Sequence, residues 1–333
     1  MSQSPSDVPQ FDPAAERFLR AQGVEPAALQ SIPGDASARR YWRASAGRVL
    51  AQVPEASELL PFLRVQRRFA AAALPVPKIL AVSLQHRLLL QEDVAVQDLK
   101  ASLDGGEPAD EVFARVFPLL LGLAAATQDF CLRPPLPPYD AVRLLQELSL
   151  FPDWYLQRHL GISLDAGEQE QLGTLFHELI GAAQQQPQIW VHRDFHARNL
   201  LVRANGDVVM IDFQDAVVGP WTYDLASLLW DRYWDWGRAR RSEWIELYRQ
   251  QLRTRGFRVP GVEEFRHQVE TVALQRNLKI LGIFCRLAYR DGKSAYLEFL
   301  PRFWAYVEDL LAGQISWQNY VPMFQAWSPC TKR

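Results

Sequence analysis

The stretch Ile-Trp-Val-His-Arg-Asp-Phe-His-Ala-Arg-Asn-Leu-Leu-Val-Arg-Ala-Asn-Gly-Asp-Val-Val-Met-Ile-Asp-Phe-Gln-Asp-Ala, from Ile189 to Ala216, reads as a loop followed by a hairpin. Asn205-Gly206 is a strong two-residue turn signal, because both central positions of a type I′ turn need positive φ. The apolar runs Leu200–Val202 and Val208–Ile211 flank it as strands. A two-residue turn sets Ala204 opposite Asp207 and, counting outward, Asn199 opposite Asp212 at the open end. Two oxygen-bearing side chains are thereby expected side by side, and hard cations such as Mg²⁺ take oxygen ligands. Asp194, in the loop entering the hairpin, is a third carboxylate. Its place suits it to take a proton from a substrate without joining the metal pair.

The chain has 333 residues, 48% hydrophobic and 22% charged, with a formal net charge of −2. That length suits one large domain or two lobes with an ample core. The charge leaves no footprint for nucleic acid or an anionic membrane. The three cysteines Cys131, Cys285 and Cys330 lack metal spacing, which favours reduced thiols in a cytoplasmic protein. Met1 to Gln10 is polar and rich in Ser and Pro, without the basic-then-apolar layout of a secretion signal. No apolar run is long enough to span a bilayer. These features predict a cytoplasmic monomer, an enzyme or a binding protein, with neither nucleic acid nor membrane as partner.

His192-x-Asp194, then Asn199, then Asp212-Phe213 resembles the catalytic and metal loops of the protein-kinase-like superfamily. Gly219-Pro220-Trp221-Thr222-Tyr223-Asp224-Leu225-Ala226 narrows the resemblance to the aminoglycoside phosphotransferase and choline kinase branch. The resemblance implies an α+β, bilobal protein-kinase-like fold. Residues 1–91 would form a small antiparallel-sheet N-lobe, and residues 92–333 a larger, mainly helical C-lobe. It further implies ATP and Mg²⁺ as cofactors, Asp194 as catalytic base, and Asn199 and Asp212 as metal ligands. Asp224 would brace the catalytic loop, and His192 would order it by packing.

Asp12-Pro13 opens a short amphipathic helix within Phe11–Leu29. From Ile32 to Arg43, small residues give way to alternating basic and aromatic ones, reading as a tight loop that enters a strand. A second strand, Arg48–Val53, follows the turn at Ala46-Gly47. The resemblance makes this the nucleotide-covering loop, with Ser37, Arg39 and Arg40 as nucleotide contacts. Here the chain departs from the family pattern, in which the third strand carries a lysine. Val49-Leu50-Ala51-Gln52-Val53 has none, and the helix Leu59–Ala73 offers Arg64, Arg67 and Arg68 where a glutamate partner is usual. Arg40, or failing it Arg39, is expected to substitute, because a guanidinium forks onto phosphate oxygens. Without such a substitute the chain would be an inactive kinase-like module. Arg87–Val94 matches the hinge between lobes, where Glu92 and its neighbours would meet the adenine through backbone; ATP and GTP are not separated by that.

Beyond a buried helical pattern from Glu111 to Phe130, a proline-rich link ends at the helix cap Asp140. The following helix carries Glu147 and runs into Phe151-Pro152-Asp153-Trp154-Tyr155. A carboxylate and aromatic rings in one span either hold a sugar or are core residues under a loop. Three tryptophans in Trp230–Trp236 are expected mostly to pack helices. Between Gln275 and Arg290, helical spacing puts Arg276, Lys279, Arg286 and Arg290 on one face, with Leu274, Leu278, Leu281, Cys285 and Ala288 opposite. The basic face is either solvated or a wall of the acceptor site.

Gly34–Tyr41, Leu136–Asp140, Phe151–Tyr155, Asp212–Ala216 and Leu281–Phe284 together resemble the bacterial anomeric N-acetylmuramate/N-acetylglucosamine kinases of cell-wall recycling. That resemblance, from about residue 30 to 305, also lacks the third-strand lysine. It implies an amino-sugar substrate phosphorylated at its anomeric hydroxyl and a 1-phosphate product feeding UDP-sugar synthesis. The residues themselves offer Glu147 and Trp154 as one candidate wall of the acceptor pocket, and the Arg276–Arg286 face, with Lys279 and Arg286, as the other. The other reading is an aminoglycoside or small-alcohol kinase, whose polycationic substrates would ask for a strongly acidic pocket.

Overall fold

Side-chain alternation explains the first sheet of the computed structural model, which describes residues 10–32, 39–94, 97–129 and 136–329. Strands β1 (Gln30–Ile32), β2 (Arg40–Ala44), β3 (Arg48–Gln52), β4 (Ile79–Ser83) and β5 (Leu88–Glu92) lie in the order β1-β2-β3-β5-β4, antiparallel throughout. Successive side chains point to opposite faces. Trp42, Ala44, Leu50, Leu88 and Leu90 pack on one face with Ala15 and Leu19 of helix α1 (Pro13–Ala21). Ala51, Val53 and Leu89 pack on the other with Leu59 and Leu63 of α2 (Leu59–Ala71). A strand covered on both sides reads as a continuous apolar run, which accounts for Leu88-Leu89-Leu90. Asp12 caps α1, accepting from the Ala14 and Ala15 N–H groups at 2.8 and 2.9 Å.

Downstream come β6 (Gln97–Asp98), β7 (Gln188–Val191), β8 (Leu200–Val202), β9 (Val208–Met210) and β10 (Val217–Pro220). Strands β6, β8 and β9 form one sheet, and β7 pairs with β10. The β8–β9 hairpin exists as expected, but its register is one residue off. Leu200 pairs with Met210 and Val202 with Val208, so Asn199 stands opposite Ile211, not Asp212. The Gly206 N–H donates to the Arg203 carbonyl at 2.9 Å, and Gly206 alone takes a positive φ, +86°. This is a three-residue loop, a type I turn followed by glycine in the left-handed region. Asn205 favours it, because its side-chain oxygen accepts from the Asp207 N–H at 3.1 Å.

The remaining α-helices are α3 (Leu99–Asp104), α4 (Ala109–Asp129), α5 (Ala141–Leu148), α6 (Ala166–Gln185), α7 (Tyr223–Leu229), α8 (Gly237–Thr254), α9 (Val262–Tyr289), α10 (Leu300–Gly313) and α11 (Val321–Ala326). Phe151–His159 is a helix of π geometry. The chain forms two compact units, Met1–Leu119 with Ala197–Asp215, and Leu120–His196 with Ala216–Arg333. This division is not the one expected at residue 91. The hairpin belongs with the first sheet, to which the Met210 N–H is tied through the Pro75 carbonyl at 2.9 Å. Phe213 is packed there too, against Phe62 and Phe69 of α2. Among the described residues no helix is long and apolar enough to cross a membrane.

Helix α9 is the spine of the second unit. Every residue from Val269 to Gly282 is buried, including Glu270, Gln275, Arg276, Asn277 and Lys279. The expected apolar face holds, with Leu274, Leu278, Leu281 and Cys285 fully enclosed. Burial pushes the Cys285 thiol up to about 12, so it packs as a neutral group. The basic face is not uniformly solvated: Arg276 and Lys279 are each only 7% exposed. Gly282 lets α9 touch the segment before the π-helix, since a Cβ there would lie 2.3 Å from the Leu150 carbonyl carbon and oxygen. Gly282→Ala is therefore expected to destabilise by about 1–3 kcal/mol through overpacking. Gly181→Ala on α6, where a Cβ meets nothing within 4 Å, should stabilise by about 0.4–1 kcal/mol. Urea unfolding of the two variants separates these; equal midpoints would remove the close-contact account.

Candidate active site

The loop after β7 is held from behind. Asp224, buried at the start of α7, accepts from the backbone N–H of His192 at 2.7 Å and of Arg193 at 3.0 Å. Burial pushes its carboxyl up to about 7, while those two hydrogen bonds pull the other way. Arg193 takes a φ of +74°, a conformation costing of order 1–3 kcal/mol that persists only where its surroundings dictate it. They do so here through Asp224 on its backbone and Glu147 on its guanidinium, which also lies 5.3 Å from the centre of the Tyr139 ring. His192 is fully enclosed and meets the Phe195 ring edge-on.

Glu147 is shared. Besides Arg193, it takes the Lys279 ammonium at 3.0 Å and the Tyr139 hydroxyl. Lys279 also donates to the Tyr223 hydroxyl at 3.2 Å. Glu147 and Lys279, read from sequence as facing walls of an acceptor pocket, are thus joined in one buried network. Burial works to raise the Asp194 carboxyl, yet Lys279, His196 and Arg193 together hold it below the usual carboxylate range. Asp194 is therefore ionised at neutral pH. His196 is drawn down to about 3, by burial first and the Arg232 charge next, so it is neutral there. Two cations, Arg193 and Lys279, thus face two carboxylates, Glu147 and Asp194.

The first unit carries a second cluster. Arg39 lies 3.4 Å from Glu58 and 3.8 Å from Asp212 through different guanidinium nitrogens, and is only 12% exposed. It shares a strand face with Tyr41, whose register partner is Ala51 in the strand that lacks a lysine. Arg40, the first choice from sequence, points to the opposite face and is exposed. Strand parity is what separates their surroundings. Asp212, at φ +62°, accepts from the Gln214 side chain at 2.9 Å. The Ile211 N–H bonds the Asn199 carbonyl at 3.0 Å, so Asn199 and Asp212 are diagonal neighbours at the open end of the hairpin. Among the described residues no three His, Cys, Asp or Glu side chains converge on a metal-sized site. The oxygen donors Asn199 and Asp212 fit Mg²⁺ all the same, because it is usually held by one or two carboxylates with waters and phosphates.

Glu92 gives its carboxylate to Arg203 at 2.5 Å and to the Lys78 N–H at 3.3 Å, so its side chain ties sheet to hairpin. Ser37 lies outside the described residues. Trp154 is half-buried in the π-helical segment, and Arg286 is half-buried near the exit of α9. Sequence reading missed Arg193, Tyr139, Tyr223 and Glu58. Tyr223 stood inside the quoted Gly219–Ala226 motif, and Glu58 immediately precedes the helix searched for a glutamate.

The architecture and the two clusters define a kinase-like phosphotransferase. An ADP-bound aminoglycoside phosphotransferase has the same fold, with a TM-score of 0.59 at 14% identity over 90% of this chain and 99% of that one. Residues 28–265 match the phosphotransferase enzyme family, and the chain belongs to it. It is similar to the N-acetylmuramate/N-acetylglucosamine kinase of Pseudomonas aeruginosa, with 37% identity over 87% of this chain and 85% of that protein. The corresponding Pseudomonas putida protein is 36% identical over 87% and 86%.

Asp224→Asn is expected to destabilise the fold by about 1–3 kcal/mol, because an amide has one acceptor oxygen and turns an NH₂ toward the second N–H donor. An unchanged denaturation midpoint would show that the two backbone bonds are not what fixes the loop.

Proposed function

We propose that the protein is an ATP-dependent sugar kinase that phosphorylates the anomeric hydroxyl of N-acetylmuramate and N-acetylglucosamine. The observation that carries this reading is Asp194, ionised beside Lys279 and Arg193 on a loop whose backbone is fixed by Asp224. An anomeric hydroxyl is more acidic than an ordinary alcohol, so a carboxylate within hydrogen-bond reach suffices as base. Asp194 takes that proton as O1 attacks the terminal phosphorus of ATP; the bond to the ADP oxygen breaks, leaving the sugar 1-phosphate and ADP. Lys279 and Arg193 keep the base charged, and Glu147 offsets their surplus. Arg39, paired with Glu58, offers the guanidinium fork to the nucleotide phosphates in place of the absent strand lysine. Mg²⁺, held by Asn199 and Asp212, would offset phosphate charge when bound.

The acceptor assignment is supported by relatives that carry that name at up to 37% identity. An aminoglycoside kinase is less well supported, because a polycationic acceptor would meet Arg193 and Lys279 at the base.

Incubation with ATP, Mg²⁺ and a panel of amino sugars and aminoglycosides, followed by product identification, tests the reading directly. The 1-phosphates are expected, with Asp194→Asn about 10²–10⁴-fold slower. Phosphorylation of a methyl 1-glycoside, whose O1 is blocked, would defeat the anomeric assignment. Arg39→Ala should raise the KM for ATP about 10-fold or more, whereas Arg40→Ala should leave it within about 2-fold. The reverse order in steady-state kinetics would move the phosphate contact to Arg40.

A further inference from the structure

Lys279 and Arg286 are seven residues apart on α9, so they share one face, two turns or about 10.5 Å apart along the axis. Their surroundings differ. The Lys279 charge is matched inside the protein, 3.0 Å from Glu147 and 3.2 Å from the Tyr223 hydroxyl. Arg290, one turn beyond Arg286, is matched as well, by Asp291 at 2.7 Å. Arg286 is half-buried, and among the described residues it joins no ion pair. Its Nε is enclosed without a hydrogen-bond acceptor. Burial and the Arg290 charge work against its charge, while Asp291 and then Glu147 act to favour it through space without an ion pair. A half-desolvated guanidinium without an acceptor presents a planar fork suited to a carboxylate.

We propose that Arg286 binds the carboxylate that distinguishes an acidic amino sugar from its neutral counterpart, while Lys279 is a positioning residue whose charge stays internal. The assignment rests on the amino-sugar reading above. The lactyl ether of N-acetylmuramate carries its carboxylate on the side of the ring away from O1; N-acetylglucosamine has only a hydroxyl there. Lys279 is the cation that acts most strongly on Asp194. An O1 at Asp194 therefore places the far side of the ring away from Lys279, and Arg286 continues the same helix face.

Initial rates on both sugars with wild type, Arg286→Ala and Arg286→Lys test this. Arg286→Ala should lower kcat/KM for N-acetylmuramate about 10- to 100-fold, mainly through KM, and change N-acetylglucosamine by no more than about 2-fold. Arg286→Lys should recover part of the loss, since it restores the charge but not the fork. Equal losses on both sugars, or no loss on either, would overturn the assignment while leaving the sugar-kinase reading intact. Failure of the wild-type protein to phosphorylate either sugar would overturn that reading and this assignment with it.

Discussion

One carboxylate shared by two cations, Glu147 between Arg193 and Lys279, is the interaction that ties the second unit's polar interior together. Its members come from α5, the loop after β7 and α9, and Tyr139 and Tyr223 add the approach to α5 and the start of α7. Tyr139 is itself fixed by its N–H, which donates to the Val218 carbonyl of β10 at 2.8 Å. Breaking a buried pair by removing one partner typically costs about 3–5 kcal/mol, because the other charge stays enclosed. Here the remaining charges would be two cations beside Asp194, so the charge balance around that carboxylate would change as well as the stability. The protein carries a strained Arg193 backbone and a lysine inside its longest described helix to keep this arrangement.

The first unit resolves a similar problem with less burial. The strand without a lysine sets Ala51 against Tyr41, and Arg39, the residue before β2, is the cation that acts on Tyr41. Glu58 partners it from just outside α2, not from within the helix. Phe213, next to Asp212, stacks 4.9 Å from Phe62, so α2 braces the acidic end of the hairpin as well. Arginine suits this displaced position, since its length and planar fork let it meet Glu58 and Asp212 through different nitrogens.

Much of this was legible in the sequence because it is local. The hairpin, the caps at Asp12 and Asp140, and the apolar side of α9 follow from turn chemistry and periodicity. What was not legible depended on choices that neighbours do not dictate. Asn-Gly suits both a two-residue and a three-residue turn, and the Asn205 bond to Asp207 decides between them. Arg39 and Arg40 differ only in parity, which the far strand assigns. A helical wheel shows that Arg276, Lys279 and Arg286 align, but not that two are covered and one is half open. The Glu147–Lys279 contact joins segments remote in sequence, and periodicity carries no information about such a pair.

Enclosing the triad has a consequence for how the protein meets its solvent. Dissolved ions screen charges over about 8 Å at physiological ionic strength, but they act through water and reach enclosed pairs weakly. Surface pairs such as Arg240 with Glu243 fade as salt rises. The field that keeps Asp194 ionised arises from groups shielded from that effect, Lys279 only 7% exposed and Glu147 only 12%. Asp194 therefore keeps its charge while the salt around the protein changes.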